Sequence, residues 1–182
     1  MKFFLMVVVV ILAGLGVWWY APTDKPFENF IGEDPLPVVS LVEPKPREVP
    51  PGAREYTNKS YGFSTLYPDI FSVRTINEGS GAVTIVFENK EKALGLQVFI
   101  VPYGEAQVSE ERFLKDVPSG IRNDPKDFYI DGVLATGFYS SNAFLGETME
   151  VWFIHKGLLY EVTAHRSMET LLSEILNTWQ FI

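Results

Sequence analysis

The chain has 182 residues and a formal net charge of −8, and it contains no cysteine. The absence of cysteine excludes disulfides, thiolate metal sites and a lipid-modified N-terminal cysteine. Residues 55–182 hold 17 acidic and 10 basic residues. Because this balance opposes phosphate binding, we expect no nucleic-acid partner.

An apolar segment opens the chain. After Lys2 the next charged residue is Asp24, and the segment closes with the aromatic cluster Trp18, Trp19 and Tyr20. As a helix, residues 3–20 would span about 27 Å, close to the thickness of the bilayer hydrocarbon. Clusters of this kind are typical of the membrane interface. We therefore predict a single transmembrane anchor over residues 1–20.

Flanking charges and cleavage signals bear on how this segment sits in the membrane. Lys2 and the amino terminus are positive, whereas acidic residues follow the segment. This asymmetry predicts a cytoplasmic N-terminus, with the remaining chain periplasmic or extracellular. A cleaved signal peptide, cut after Gly16 with Gly14 at the −3 position, is the alternative. The apolar run exceeds the about 7–15 residues of a signal-peptide core, which favours the uncleaved anchor.

Residues 21–54 have the composition of a linker, since they contain eight of the 12 prolines. Proline removes backbone donors, so a regular element is excluded and a spacer of up to roughly 100 Å is expected. The apolar piece at residues 36–42 does not fit a solvated spacer. We favour its packing along the domain as an added edge. The alternative is a docking segment for a partner.

Residues 55–182 are long enough to form one globular domain with its own core. Apolar runs bounded by glycine, proline and polar turns predict strands. The predicted strands cover residues 61–68, 71–76, 82–88 and 94–101, followed by a hairpin of 128–130 with 133–140 and another of 147–154 with 158–165.

Two helices are predicted within this domain. Ser109 is a good N-cap for a helix starting within residues 108–114, and Pro118 lies at its end. Apolar residues recur at i, i+3 and i+4 spacing over residues 168–179, which predicts a second helix with Ser167 as its cap. Runs of strands with few helices predict an α+β domain, in which helices flank a mainly antiparallel sheet.

Three stretches of the domain carry a family resemblance. Residues 61–68 read Tyr-Gly-Phe-Ser-Thr-Leu-Tyr-Pro, residues 157–163 read Gly-Leu-Leu-Tyr-Glu-Val-Thr, and the chain ends in Trp-Gln-Phe-Ile. They resemble the opening strand and the C-terminal strand and helix of PsbP-like (Mog/PsbP-type) domains, over roughly residues 56–182. The resemblance implies an α/β/α sandwich. Photosystem extrinsic subunits and Ran-binding Mog proteins have this fold, but neither role is carried over, because neither matches the anchor and linker.

Few residue patterns point to catalysis or metal binding. His155 and His165 would lie roughly 24 Å apart on one hairpin, too far to share a metal. The acidic residues Asp124, Asp127 and Asp131 lie in a predicted loop, but their spacing matches no known calcium loop. No serine elbow or phosphate loop is present. We therefore predict no catalytic residue, no metal site and no cofactor.

Aromatic residues are dense around the first predicted hairpin. They are Phe128, Tyr129, Phe138, Tyr139 and Phe144. We favour core and sheet packing for these side chains. The alternative is a stacking platform for a glycan or a pocket for an apolar ligand.

Together these features predict a non-enzymatic, membrane-tethered domain of a bacterial cell envelope that binds or scaffolds a protein partner. One alternative is an accessory subunit of a larger membrane complex. Another is a hydrolase of an unrecognised type, which would need convergent polar groups in a concave site.

Overall fold

The computed structural model describes residues 47–143 and 145–182. The predictions for the anchor, for the linker up to residue 46 with its apolar piece, and for Phe144 therefore lie outside the described residues. Within the described ranges, no helix combines the length and apolar character needed to cross a bilayer.

The described residues form ten strands, two α-helices and one 3-10 turn. The strands are β1 (Ala53–Asn58), β2 (Phe63–Pro68), β3 (Ser72–Gly79), β4 (Ala82–Asn89), β5 (Leu94–Pro102), β6 (Asn123–Ile130), β7 (Val133–Asn142), β8 (Gly146–His155), β9 (Leu158–His165) and β10 (Gln180–Phe181), and the helices are α1 (Glu110–Asp116) and α2 (Glu169–Asn177). The 3-10 turn spans Arg166–Met168.

Seven strands form one antiparallel sheet in the order β3-β4-β5-β9-β8-β7-β6. The predicted α+β class and both predicted hairpins are confirmed. Lys156 and Gly157, which join β8 to β9, both have positive φ, as a two-residue type I′ turn requires. This turn sets the register that places His165 opposite Thr148.

A second sheet of three strands, in the order β1-β2-β10, differs from the sequence prediction. Strand β1 begins at Ala53, inside the segment predicted as linker, and β10 follows the last helix. Neither strand carries a clear apolar pattern. In β1 the side chains of Arg54, Glu55 and Thr57 are exposed, and β10 has only two residues, too few for any periodicity to appear.

The small sheet and α2 cover one face of the large sheet, and aromatic rings fill the space between the layers. The ring of Phe63 on β2 stacks on Trp179 with centroids 4.1 Å apart. Trp179 in turn meets the edge of Tyr160 on β9 at 6.1 Å, and the Tyr160 hydroxyl donates to the Tyr61 carbonyl at 2.6 Å. These contacts join the two sheets into one core.

Helix α1 covers the opposite face of the large sheet. Ser109 is its N-cap, as predicted, and accepts a hydrogen bond from the Arg112 backbone N–H at 3.3 Å. The helix buries Phe113 against Phe138 on β7 and Trp152 on β8, with ring centroids 5.8 Å from each. This small aromatic cluster is separate from the main core.

The start of α2 also differs from the prediction, because Ser167 is not its cap. Ser167 lies within the 3-10 turn, and its backbone N–H donates to His165 Nδ1 at 3.2 Å. The helix proper begins at Glu169 with Met168 at the N-cap position and no side-chain cap. The apolar stripe predicted for this helix is confirmed, since Leu172, Ile175 and Leu176 are buried.

Hydroxyl groups tie the C-terminal end of α2 to β2. Thr178 Oγ1 accepts from the Leu66 backbone N–H at 2.9 Å and contacts the Ile175 carbonyl at 2.8 Å. Thr65 Oγ1 donates to the same carbonyl at 2.8 Å. The Ile175 carbonyl, near the C-terminal end of α2, thus has hydrogen-bond partners on side chains.

We expect Thr178→Val to lower the free energy of unfolding by about 1–3 kcal/mol, because it leaves the Leu66 N–H without a partner in a packed interface. Urea unfolding of the full-length protein measures this loss. Thr178→Ser keeps the hydroxyl and is the matched control, with a smaller loss. Equal stability of the valine and serine variants would contradict this role for the hydroxyl.

Candidate functional site

A groove of about 260 Å³ lies between α2 and the end of the large sheet formed by β6, β7 and β8. Apolar side chains of both layers form its floor, among them Ile130, Val151, Leu172 and Leu176. Its rim is polar and carries Asp124, Lys126, Glu169, Ser173 and Asn177. An apolar floor with a few polar groups around it is the usual composition of a binding site.

The absence of a side chain at Gly137 on β7 shapes the floor of the groove. A Cβ at this position would lie 3.0 Å from Phe128 Cε1 and 3.1 Å from Met149 Cε. Both distances are shorter than normal carbon–carbon contacts. The glycine therefore leaves room for the phenyl ring and the thioether, which both lie close to its backbone.

A polar network fixes one end of the groove. The Tyr139 hydroxyl donates to Glu169 Oε1 at 2.7 Å, and the Arg166 guanidinium lies over the Tyr139 ring, 4.4 Å from its centroid. The hydrogen bond to Glu169 raises the pKa of Tyr139. The tyrosine therefore stays a donor at neutral pH and holds the start of α2 against β7.

The structure divides the aromatic residues of the first hairpin between different roles. Phe138 is buried in the cluster under α1, and Phe128 packs partly buried against the main core, so the predicted packing is confirmed for both. Tyr139 lines the groove. Tyr129 is 73% exposed. A ligand-binding role for these two tyrosines stays a prediction.

The face of the large sheet under α1 holds two buried acidic residues, Glu150 on β8 and Glu161 on β9. Arg112 on α1 reaches Glu161, with Nη2 3.2 Å from Oε1. The same guanidinium pairs with Asp116 one helical turn further along. Two carboxyl groups thus share the buried Arg112 guanidinium between the helix and the sheet.

Burial, together with the hydrogen bond and the charge of Asp116, raises the pKa of Glu161 to about 9 against the opposing effect of Arg112. At neutral pH one proton is therefore held by Glu161 beside Asp116, and Arg112 balances the remaining charge. Burial also raises the pKa of Glu150, against the effect of the Thr163 hydroxyl that donates to its Oε2 at 2.6 Å.

This cluster clamps α1 to the sheet and is closed to a substrate. The Glu161 and Asp116 side chains are only 8% and 14% exposed. The cluster is not evident from the sequence, because each acid taken alone resembles a solvated surface residue. The available signals were the i, i+4 spacing of Arg112 and Asp116 and the position of Glu161 inside an apolar strand.

The acidic residues predicted to lie in one loop do not form a calcium site. Asp124 and Asp127 lie on β6, and Asp127 accepts from the Thr136 hydroxyl at 2.7 Å. Asp131 lies in the next turn and accepts from the Phe181 N–H at 2.8 Å. Across residues 47–143 and 145–182, no group of three or more acidic, histidine or cysteine side chains could hold a metal ion.

The two histidines lie at opposite ends of the β8–β9 hairpin, as predicted. His155 and His165 end the paired strands β8 and β9. The His155 ring lies against Phe181 with centroids 4.0 Å apart, and burial lowers the pKa of His155. His165 caps the 3-10 turn.

The antiparallel sheet with α1 on one face and α2 on the other is an α+β sandwich, and comparison with solved structures shows that this fold is PsbP-like. Among solved structures, the solution structure of cyanobacterial PsbP (CyanoP) from Synechocystis sp. PCC 6803 is similar, with a TM-score of 0.53 and 14% sequence identity. The match covers 72% of this chain and 93% of the cyanobacterial chain, and it shows the fold. No protein-family model matches the chain, and comparison with curated protein sequences gives no match.

We expect the raised pKa of Glu161 to make stability depend on pH. The folded state holds on Glu161 a proton that the unfolded state releases near pH 4.5. The contribution of this proton to the free energy of unfolding is therefore complete below about pH 4.5, and it is lost as pH rises to about 9. The free energy of unfolding should fall with pH by at most about 1.4 kcal/mol per pH unit because of this group, and Glu161→Gln should remove that fall. Urea unfolding of the full-length protein at pH 5, 7 and 9 measures it.

Glu91→Gln is the matched control, because it makes the same chemical change at an exposed position between β4 and β5. It should leave the pH dependence of the wild-type protein intact. A slope that survives in Glu161→Gln would show that other groups cause the pH dependence.

Proposed function

We propose that this protein is a non-enzymatic domain that is tethered to a membrane and binds a protein component of the cell envelope. The tether is the apolar segment of residues 1–20, and the positive charge of Lys2 before this segment favours a cytoplasmic N-terminus, with the domain outside the cytoplasm. The binding site is the groove between α2 and β6–β8.

The combination of an apolar floor and a polar rim in the groove is the observation that carries this proposal. The volume of about 260 Å³ is slightly below the about 300–1,000 Å³ typical of small-molecule sites. It suits one or two apolar side chains of a partner. The rim supplies both signs of charge, through Asp124 and Lys126 on β6 and Glu169 on α2, and such groups can orient a bound segment.

The chemistry of the buried charges supports a binding role over a hydrolytic one. The described acids with a raised pKa, Glu150 and Glu161, lie beneath α1 and away from the groove. In the groove, the Tyr139 hydroxyl is engaged with Glu169, so it is held in place as a donor. A hydrolase would require a nucleophile and a base in contact with the same concave surface.

The PsbP-like fold is compatible with the narrower alternative of an accessory subunit. In that case the partner would be a stable membrane complex, and the domain would remain bound to it during purification. The same groove would be used, so a single experiment addresses both forms of the proposal.

The test is co-purification of the tagged full-length protein from gently solubilised membranes of its own source. Ser173→Trp should reduce recovery of the partner at least about tenfold, because the indole would fill a groove whose rim includes Ser173. Thr170→Trp is the matched control, since Thr170 is also exposed on α2 but does not line the groove. Equal recovery with both variants, or no partner with the wild-type protein, would overturn the proposal.

A further inference from the structure

Strand β6 ends the seven-stranded sheet, and no strand within residues 47–143 and 145–182 pairs with its outer edge. Its pairing with β7 closes through a two-residue turn, with Ile130 opposite Val133. Hydrogen-bonded pairs alternate along such a hairpin, so Ile130, Phe128 and Lys126 direct their backbone groups inward to β7. The N–H and C=O groups of Asp127 and Tyr129 therefore point outward.

This edge also exposes apolar side chains. Tyr129 on β6 and Leu134 on β7 lie directly opposite each other and are 73% and 54% exposed. Ile121, two residues before β6, is also exposed. A cross-strand pair of large apolar side chains, at a sheet edge that no strand of the described residues covers, is the arrangement that proteins usually avoid or cover.

Cavities border the edge on both faces of the sheet. The groove beside α2 includes Lys126 and Phe128 of β6. A second groove, of about 440 Å³, lies on the α1 face and includes Asp127, Leu134 and Thr136. Successive side chains of a strand point to opposite faces of its sheet. A strand added to β6 would thus place alternate side chains over the two grooves.

We propose that an extended segment of a basic protein partner binds as an eighth strand of the large sheet, antiparallel or parallel to β6. The segment alternates apolar residues so that both grooves are filled. This inference rests on the proposed function, because it specifies how the partner occupies the groove beside α2.

Charge favours a different protein over a second copy of this chain. Each copy carries a net charge of −8, so two copies repel each other, whereas a basic partner is attracted. Pro125 has no N–H to donate, and Asp124 has a positive φ, so the N-terminal part of β6 is a poor template. The added strand therefore pairs with residues 126–130.

The test uses a library of random 12-residue peptides displayed on phage, selected against the full-length protein in detergent. We expect enriched peptides to be basic and to alternate apolar residues. Their affinity is then compared for Tyr129→Pro and Tyr129→Ala, both of which lose the ring. Only proline also removes the outward N–H, so Tyr129→Pro should bind about 5–10-fold more weakly.

A second measurement needs no variant. Amide hydrogen exchange of the wild-type protein should slow at Asp127 and Tyr129 when a selected peptide is added. Equal affinities of the two Tyr129 variants, unchanged exchange at these amides, or a selection that yields no binding peptide would each overturn strand addition. A wild-type dimer that Tyr129→Pro disrupts would overturn the choice of a different protein as the occupant.

The groove variant separates this inference from the proposed function. If Ser173→Trp abolishes peptide binding while the two Tyr129 variants bind equally, the groove is the site and strand addition is wrong. If Ser173→Trp binds peptides as the wild-type protein does and Tyr129→Pro alone is weakened, the edge binds without the groove, and the proposed groove site is wrong.

Discussion

The stack of Phe63 on Trp179 is the contact on which the arrangement of this domain depends. Phe63 opens β2 and Trp179 follows α2, so their stacked rings join the beginning of the domain to its end. The same indole meets Phe153 and Tyr160 of the large sheet edge-on. One side chain therefore sets the distance between the small sheet, the last helix and the large sheet. The position of α2, and with it the width of the groove, follows from this distance.

The two faces of the large sheet are covered by different means. On the α2 side the cover is an aromatic and aliphatic core. On the α1 side a helix of seven residues is too short to bury much apolar area, and it is held by Arg112 between Asp116 and Glu161. Buried ion pairs offset their desolvation only when their geometry is complete. The retained proton on Glu161 reduces this desolvation, because it leaves one net negative charge for the single guanidinium.

The sequence was most informative where the pattern is local and repeated. The hairpin of β8 and β9 follows from two apolar runs around a Lys-Gly turn, and α2 follows from a stripe of apolar residues at helical spacing. The pattern does not predict strand β1, because an edge strand with Arg54, Glu55 and Thr57 exposed has almost no apolar signal. The start of α2 was misplaced because Ser167 has the chemistry of a cap, whereas His165 accepts the hydrogen bond.

The candidate site depends on contacts between residues that are far apart in the sequence, and no local sequence pattern predicts such contacts. Gly137 has no distinguishing mark in the sequence, yet it gives Phe128 and Met149 the space that both side chains occupy beside its backbone. The groove itself arises where α2, fixed at its other end by Thr178 and Trp179, passes over strands that are distant in the chain. The centre of the large sheet is buried on both faces, and the large apolar side chains that this sheet exposes within the described residues, Tyr129 and Leu134, lie on the β6–β7 hairpin at its end. On that hairpin the outward backbone groups of Asp127 and Tyr129 pair with no strand within residues 47–143 and 145–182, so apolar side chains and available backbone groups coincide at one edge.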